Sequence, residues 1–223
     1  MRGYHASCMD IFRPAGTLPV VMPLDAGALR PPAGWWSRLK ARGIMSPVHI
    51  RAARQSDLTV MQDIERAAGS SFREIGMPEI ADDEPLPVEE LARYRQDHRA
   101  WVAADDADVP AAYLIADIVD GSLHIEQVSV HPRAARRKIG RMLLEHAAAY
   151  AAASGIGGLT LTTFAEVPWN APYYARCGFR VLEDSELSPG MRAVRDREIA
   201  HGLHRWPRVC MRRDLDTPRQ AGS

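Results

Sequence analysis

Two rhythms of apolar and polar positions run along this chain. Short runs rich in branched or aromatic residues, bounded by Gly, Pro or Asp, recur at Val48 to Ala52, Trp101 to Ala104, Ala111 to Val119, Leu123 to Val130, Leu159 to Phe164, Arg180 to Glu183 and Val209 to Arg212. That pattern predicts β-strands. Between them the spacing changes to three and four residues. Leu58, Met61, Ile64 and Ala68 follow Ser56-Asp57, which is suited to a helix N-cap; Val88, Leu91 and Tyr94 mark a second helix from Pro87 to His98. Ile139, Met142, Leu143, Ala147 and Tyr150 form the face of a third helix, and Ser188-Pro189 opens a fourth that runs towards Gly202.

The connections decide how the strands pair. Short polar turns at Asp105 to Pro110 and Asp120-Gly121 make three consecutive strands an antiparallel meander. Gly155, Gly157 and Gly158 stop the third helix, and the strand that follows lies between helices, so it is expected to return parallel beside Leu123 to Val130. Gly69 to Pro87 reads as a loop, because Gly76, Pro78, Pro85 and Pro87 interrupt any long helix; it carries the acidic run Asp82, Asp83 and Glu84. An acidic loop attracts a cationic amine, although such a run is also what a solvated surface loop carries. Residues 1–44 differ from the rest, with Pro14, Pro19, Pro23, Pro31 and Pro32, no period, and the pair Trp35-Trp36. They read as a disordered extension, with an upstream start codon or a partner-binding tail as alternatives. The folded domain is expected over 45–215 and a frayed tail over 216–223.

Composition narrows the class. The 223 residues are 46% hydrophobic and 25% charged, as expected of one soluble globular core. Lys and Arg equal Asp and Glu at 28 each, so bulk charge gives no reason to expect nucleic acid or an anionic membrane as partner. Cys8, Cys177 and Cys210 have no metal-ligand spacing, and an odd count without a secretion signal points to reduced thiols in the cytoplasm. No apolar run reaches the ~20 residues that a membrane span needs.

The chemistry concentrates between Ser122 and Ala149. A strand ending Val-Ser-Val-His-Pro leads into a turn bearing Arg133, Arg136, Arg137 and Lys138, then into Ile139-Gly140-Arg141 at a helix start. Successive backbone N–H groups opening onto a helix N-terminus, with arginines around them, suit a pyrophosphate. A second block, Glu166-Val-Pro-Trp-Asn-Ala-Pro-Tyr-Tyr-Ala-Arg-Cys-Gly-Phe179, places Tyr174 four residues before Gly178-Phe179.

These two blocks, in this order, resemble the GNAT superfamily of acyl-CoA-dependent N-acyltransferases. The family turn usually reads Arg or Gln, two residues, Gly, one residue, Gly or Ala. Here those key positions hold Ala135, Lys138 and Gly140, so only the last agrees. The first Gly of the family lets the backbone approach the pyrophosphate or take a dihedral that a side chain resists. The resemblance implies an α/β (α+β) GNAT fold, a mixed and mostly antiparallel sheet of six to seven strands with helices on both faces. It implies an N-acetyltransferase that takes acetyl-CoA as donor, needs no metal, and transfers to a primary amine by direct attack in a ternary complex. A small-molecule amine is favoured as acceptor, a protein amine is open, and so is homodimerisation. The alternative is an acyl-CoA-binding sensor or interaction module with little catalysis; a nucleic-acid protein using the Arg-rich turn is disfavoured by the neutral charge.

The resemblance also implies roles. Main-chain amides of Val128, Ser129 and Val130 would hold the acyl carbonyl and pantetheine arm. Arg136, Arg137, Lys138, Ile139, Gly140 and Arg141 would form the diphosphate cradle. Asn170 would contact the cofactor or cap its own helix. Glu126 matches a position where some members carry a catalytic Glu, with a structural carboxylate paired to an Arg as its other reading. His124, on the same face by strand alternation, is a second candidate base or simply a strand residue. Tyr174 matches the family Tyr that protonates the departing sulfur, while Tyr173 packs. Phe72, Trp169 and Trp206 are either acceptor-site aromatics or core.

Overall fold

The computed structural model describes residues 48–215. The expectations for 1–44 and for the tail over 216–223 lie outside the described residues. Seven strands form one sheet: β1 His49–Ala52, β2 Ala100–Ala104, β3 Pro110–Val119, β4 Ser122–Val130, β5 Gly158–Phe164, β6 Arg180–Val181 and β7 Arg208–Asp214. Their spatial order is β1-β2-β3-β4-β5-β7-β6, and every pair is antiparallel except β4 with β5. This is the mixed, mostly antiparallel sheet that the turn signals predict. Both Asp120 and Gly121 take positive φ, 45° and 75°, as a tight hairpin turn between β3 and β4 requires.

Helices cover both faces. On one lie α1 Leu58–Gly69, α3 Val88–Gln96 and, further along, α6 Pro189–Ala200; on the other lie α4 Ile139–Ala153 and α5 Ala171–Arg176, and the single-turn α2 Pro78–Ala81 adds Ile80 to the larger core. Leu58, Met61 and Ile64 of α1 are buried with Leu91 and Tyr94 of α3 against Val102, Tyr113 and Ile115. Each such side chain contributes roughly 1.5–3 kcal/mol of burial free energy. The larger core joins α4, through Ile139, Leu143, Leu144 and Ala147, to Leu114, Leu123, Ile125, Val128, Leu159 and Leu161. Among the described residues no helix is long and apolar enough to cross a membrane.

Three local expectations are corrected. Asp57 does not cap α1: its carboxylate closes a 3-10 turn by accepting the Arg54 N–H at 2.7 Å, and it pairs with Arg51 at 2.6 Å. The stretch read as loop after Gly69 is largely helical, because Phe72 is drawn into the core and Pro78 occupies the first turn of α2, where its missing N–H costs nothing. The strand expected over Arg180 to Glu183 stops at Val181 and gives way to a 3-10 turn, Asp184–Glu186.

Helix α6 is fastened at both ends. Its N-cap Ser188 accepts the Met191 N–H, and Asp120 of the β3–β4 hairpin accepts the Gly190 N–H at 2.6 Å. Near its other end, Glu198 bonds to Thr162 of β5 and to the buried Arg208 of β7 at 2.7 Å. The contact at Gly190 leaves no room: a Cβ there would stand 2.7 Å from both Asp120 Oδ2 and Val119 Cγ1.

Candidate active site

The middle of the sheet is built for access rather than closure. Strands β4 and β5 pair at Leu123/Leu159 and His124/Thr160, then part, so the β5-facing edge of Gln127 to Val130 has no strand partner among the described residues. Next to the gap, Thr163 Oγ1 and Trp169 Nε1 are buried without a hydrogen-bond partner. A parted parallel pair flanked by buried polar atoms suits an extended ligand that carries its own amide groups.

At the end of β4 the chain turns through His131 to Lys138. His131 Nδ1 accepts the Arg133 N–H at 3.1 Å, and Arg136 and Lys138 both take left-handed dihedrals, φ 63° and 60°. The helical ladder of α4 starts with Met142 N–H to the Lys138 carbonyl, so the amides of Ile139, Gly140 and Arg141 stand ahead of it. Those amides, the helix dipole and the surrounding Arg136, Arg137, Lys138 and Arg141 make an anion cradle. Lys138 occupies the glycine position of the family turn in the very conformation that glycine adopts without cost. A side chain there costs about 1–2 kcal/mol, against about 0.5–1 kcal/mol for the extra freedom of an unfolded Gly. Lys138→Gly is therefore expected to raise the melting temperature by about 1–4 °C, read by calorimetry.

On the opposite face, α3 and α6 wall a cleft of about 410 Å³ whose floor is His124 and Glu126 of β4 and Thr162 of β5. Glu126 owes its place to a β-bulge. Ile115 pairs with Gln127 and the next residue, Ala116, with Ile125, so Glu126 is the extra residue of β4. A bulge re-aims side chains and breaks alternation. Leu123 and Ile125 before it and Val128 and Val130 after it all face the α4 core, while His124, Gln127 and Ser129 face the other way. Plain alternation would have put Val128 on the Glu126 face. The signal was in the sequence: the apolar spacing changes from two residues to three between Ile125 and Val128.

The cleft is polar and internally paired. Tyr94 donates to Asp117 Oδ2 at 3.2 Å, and Asp117 also meets Arg93 and Arg99, each at 3.3 Å. Burial, reinforced by Glu126 and Asp117, pushes the Tyr94 hydroxyl far above its ordinary value, so it remains a proton donor. His124 is completely buried, with Nδ1 3.1 Å from Thr160 Oγ1 and Nε2 4.0 Å from Glu126 Oε2. Burial depresses its pKa, with Glu126, Glu198 and Asp117 opposing and Arg197 assisting, so the ring is neutral near pH 7. Burial would raise Glu198, but Arg208, Thr162 and Arg195 outweigh it and hold this carboxyl below its ordinary value.

The structure brings together Glu126 and His124 in the cleft. Val128, Ser129 and Val130 lie on the parted strand edge, and residues 136–141 lie in the cradle. Tyr174 does not line the cleft: it is buried on α5 in the α4-side core, edge-to-face with Tyr173 at 5.9 Å and Phe179 at 5.7 Å. Asn170 sits at the N-cap of α5, its carbonyl accepting from Tyr173 and Tyr174, while its side chain makes no cap hydrogen bond. Phe72 and Trp169 are core, packed at 5.7 Å, and Asp82 and Glu84 pair with Arg73 and Arg66 outside the cleft. Sequence reading found the helix face of Tyr94 but missed the polar walls beside it: Glu90 and Arg93 of α3, and Val194, Arg197 and Glu198 of α6 with His201 just past its end. Both sets recur at three and four residues, but with polar members, and so do not read as core faces.

Comparison with known proteins agrees with this architecture. The profile of the acetyltransferase (GNAT) family matches residues 61–179. Among similar solved structures is the ribosomal-protein-S18-alanine N-acetyltransferase from Escherichia coli, with TM-score 0.55 and 18% identity over 79% of this chain and 99% of that one. Another is a GNAT superfamily phosphinothricin acetyltransferase from Sinorhizobium meliloti in complex with AcCoA, with TM-score 0.56 and 17% identity over 80% and 93%. N-acetylglutamate synthase from Neisseria gonorrhoeae, complexed with coenzyme A and N-acetyl-glutamate, aligns with TM-score 0.56 and 18% identity over 77% of this chain and 36% of that one. The profile spans more than half of the chain and covers the bulged strand, the basic turn and the Tyr174 block, and the fold is similar to that of these enzymes: this chain belongs to the GNAT acetyltransferase family.

Proposed function

We propose that the protein transfers the acetyl group of acetyl-CoA to the amine of a small molecule, by direct attack while both substrates are bound. The observation that carries this reading is the bulge at Glu126, which turns a carboxylate into a cleft on one face of the sheet while the parted strand edge and the anion cradle serve the other substrate. Acetyl-CoA is a substrate here, its diphosphate held by the amides of residues 139–141 and the side chains of Arg136, Arg137, Lys138 and Arg141, with Asn170 beside the arm. Glu126 accepts a proton from the ammonium. The freed amine attacks the thioester carbonyl, and main-chain N–H groups of Val128 to Val130 stabilise the oxyanion. Tyr174 then gives its phenolic proton to the departing thiolate, and the nitrogen of the collapsing intermediate passes its remaining extra proton to solvent. Tyr174 is reprotonated from solvent and Glu126 sheds its proton there, so that one proton is released per turnover. A volume of about 410 Å³ accommodates a small acceptor and sits within the usual range of small-molecule sites.

The test is release of free thiol from acetyl-CoA with butylamine, 1,4-diaminobutane, 2-phenylethylamine and lysine. Turnover on at least one is expected, and Tyr174→Phe is expected to lower kcat by about 10²-fold with the KM for acetyl-CoA little changed. Calorimetric binding of acetyl-CoA without turnover on any amine would move the chain to the sensor reading.

A further inference from the structure

Glu126 does not act alone on the floor of the cleft. Its neighbour His124 is fully enclosed, and no side chain can be buried there without satisfying its ring nitrogens. One is settled: Nδ1 lies 3.1 Å from Thr160 Oγ1, at the last point where β4 and β5 still pair. The other, Nε2, points to Glu126 Oε2 at 4.0 Å. Groups facing the ring from other elements are Asp117 of β3 and Glu198 and Arg197 of α6, so three carboxylates and one guanidinium surround a neutral imidazole.

A neutral imidazole carries one proton, and the partner of one nitrogen determines where it goes. The Thr160 hydroxyl can donate to Nδ1 or accept from it. If it accepts, Nε2 turns a lone pair towards Glu126, and two acceptors face each other in a buried pocket. If it donates, the proton sits on Nε2 and faces the carboxylate. Surrounding negative charge favours the second arrangement. The 4.0 Å gap is of the kind that closes when substrate binds, since catalytic hydrogen bonds in empty sites are commonly long.

We propose that His124 is a positioning residue for Glu126, locked by Thr160 in the Nε2–H tautomer so that it presents a proton to the carboxylate and fixes its direction across the bulge. This deepens, and rests on, the reading of Glu126 as the base. His124 does not itself take the proton from the amine. Its position on the paired side of the point where β4 and β5 part makes it a rigid support beside a carboxylate on a distorted stretch.

Two readouts separate the possibilities. Long-range ¹⁵N–¹H spectra of the ring, on uniformly labelled protein without substrate, are expected to show Nε2 protonated near pH 7, with mixed tautomers in Thr160→Val. A ring protonated on Nδ1 would overturn the proposal. In steady-state assays with acetyl-CoA and the panel amine that turns over fastest, His124→Gln keeps a donor near the Nε2 position and is expected to retain kcat within about threefold, whereas His124→Leu loses about 10- to 100-fold with the KM for acetyl-CoA unchanged. Wild-type kcat in a folded His124→Leu protein, with Glu126→Gln inactive, sinks this proposal alone. Full activity of Glu126→Gln sinks the base assignment and this proposal with it. Should His124→Leu not fold, Thr160→Val carries the test: unchanged tautomer and unchanged kcat overturn the proposal.

Discussion

Glu126→Gln is expected to lower kcat by about 10²–10⁴-fold while calorimetry shows acetyl-CoA binding unchanged. Glutamine keeps the size and one acceptor oxygen of the side chain, so packing at the bulge survives and the ability to take a proton is lost. The carboxylate lines the cleft with His124 and Thr162, away from the parted edge of β4, and in the proposed function the cleft takes the amine while that edge and residues 136–141 take the thioester. A defect confined to kcat therefore separates proton acceptance from substrate binding. Among the described residues no arginine pairs with Glu126, which instead has the neutral ring of His124 at 4.0 Å. The competing reading as a structural ion pair predicts lost stability with normal turnover. Turnover within threefold of wild type in Glu126→Gln would settle for that alternative.

The second large effect is on stability. The Arg208 side chain is 1% exposed, stacks over the Phe164 ring at 4.6 Å and is neutralised by Glu198, whose other oxygen pairs with Arg195 at 2.6 Å. Glu198→Ala leaves that guanidinium buried without a counter-charge, which costs about 3–5 kcal/mol. For a domain of this size the melting temperature is expected to fall by about 10 °C. A double variant, Glu198→Leu with Arg208→Met, removes both charges and is expected to recover most of the loss; failure to recover would mean that the pair itself, and not the orphaned cation, carries the stability. The sign of the pH dependence follows from the depressed Glu198 pKa. Its contribution is present above the ordinary carboxylate value of 4.5 and is lost as pH falls through that value to the lower folded one. Urea titrations at stepped pH should thus show a shallower acid limb in Glu198→Ala than in wild type.

The sheet was legible in the sequence because its signals are local: alternation within a strand, Asp120-Gly121 between two strands, and three glycines after α4. The strand end, basic turn and helix start proposed as the cradle were legible for the same reason, since they are contiguous. What could not be read was set by contacts remote in sequence. Phe72 was open to a core reading, and is core, but the partners that make it so, Phe164 and Trp169 at 5.6 and 5.7 Å, lie far along the chain. The cleft walls come from α3 and α6, about a hundred residues apart, and their lining mixes Glu, Arg, Tyr and His with apolar residues. Asp57 looked like a helix cap because its position fits, yet Arg51 and the Arg54 amide claimed it first. The bulge lies between these cases: a three-residue step from Ile125 to Val128 announces it, but only to a reader who already trusts the strand.

Because α6 is tied at Gly190 to one hairpin and at Glu198 to the far strand, its backbone cannot drift when the residues between those ties change. Val194 and Arg197 can be exchanged without re-laying the frame around them. On the proposed reading, a lineage carrying this scaffold can thus trade one acceptor for another through two side chains, with the sheet and its basic turn inherited intact.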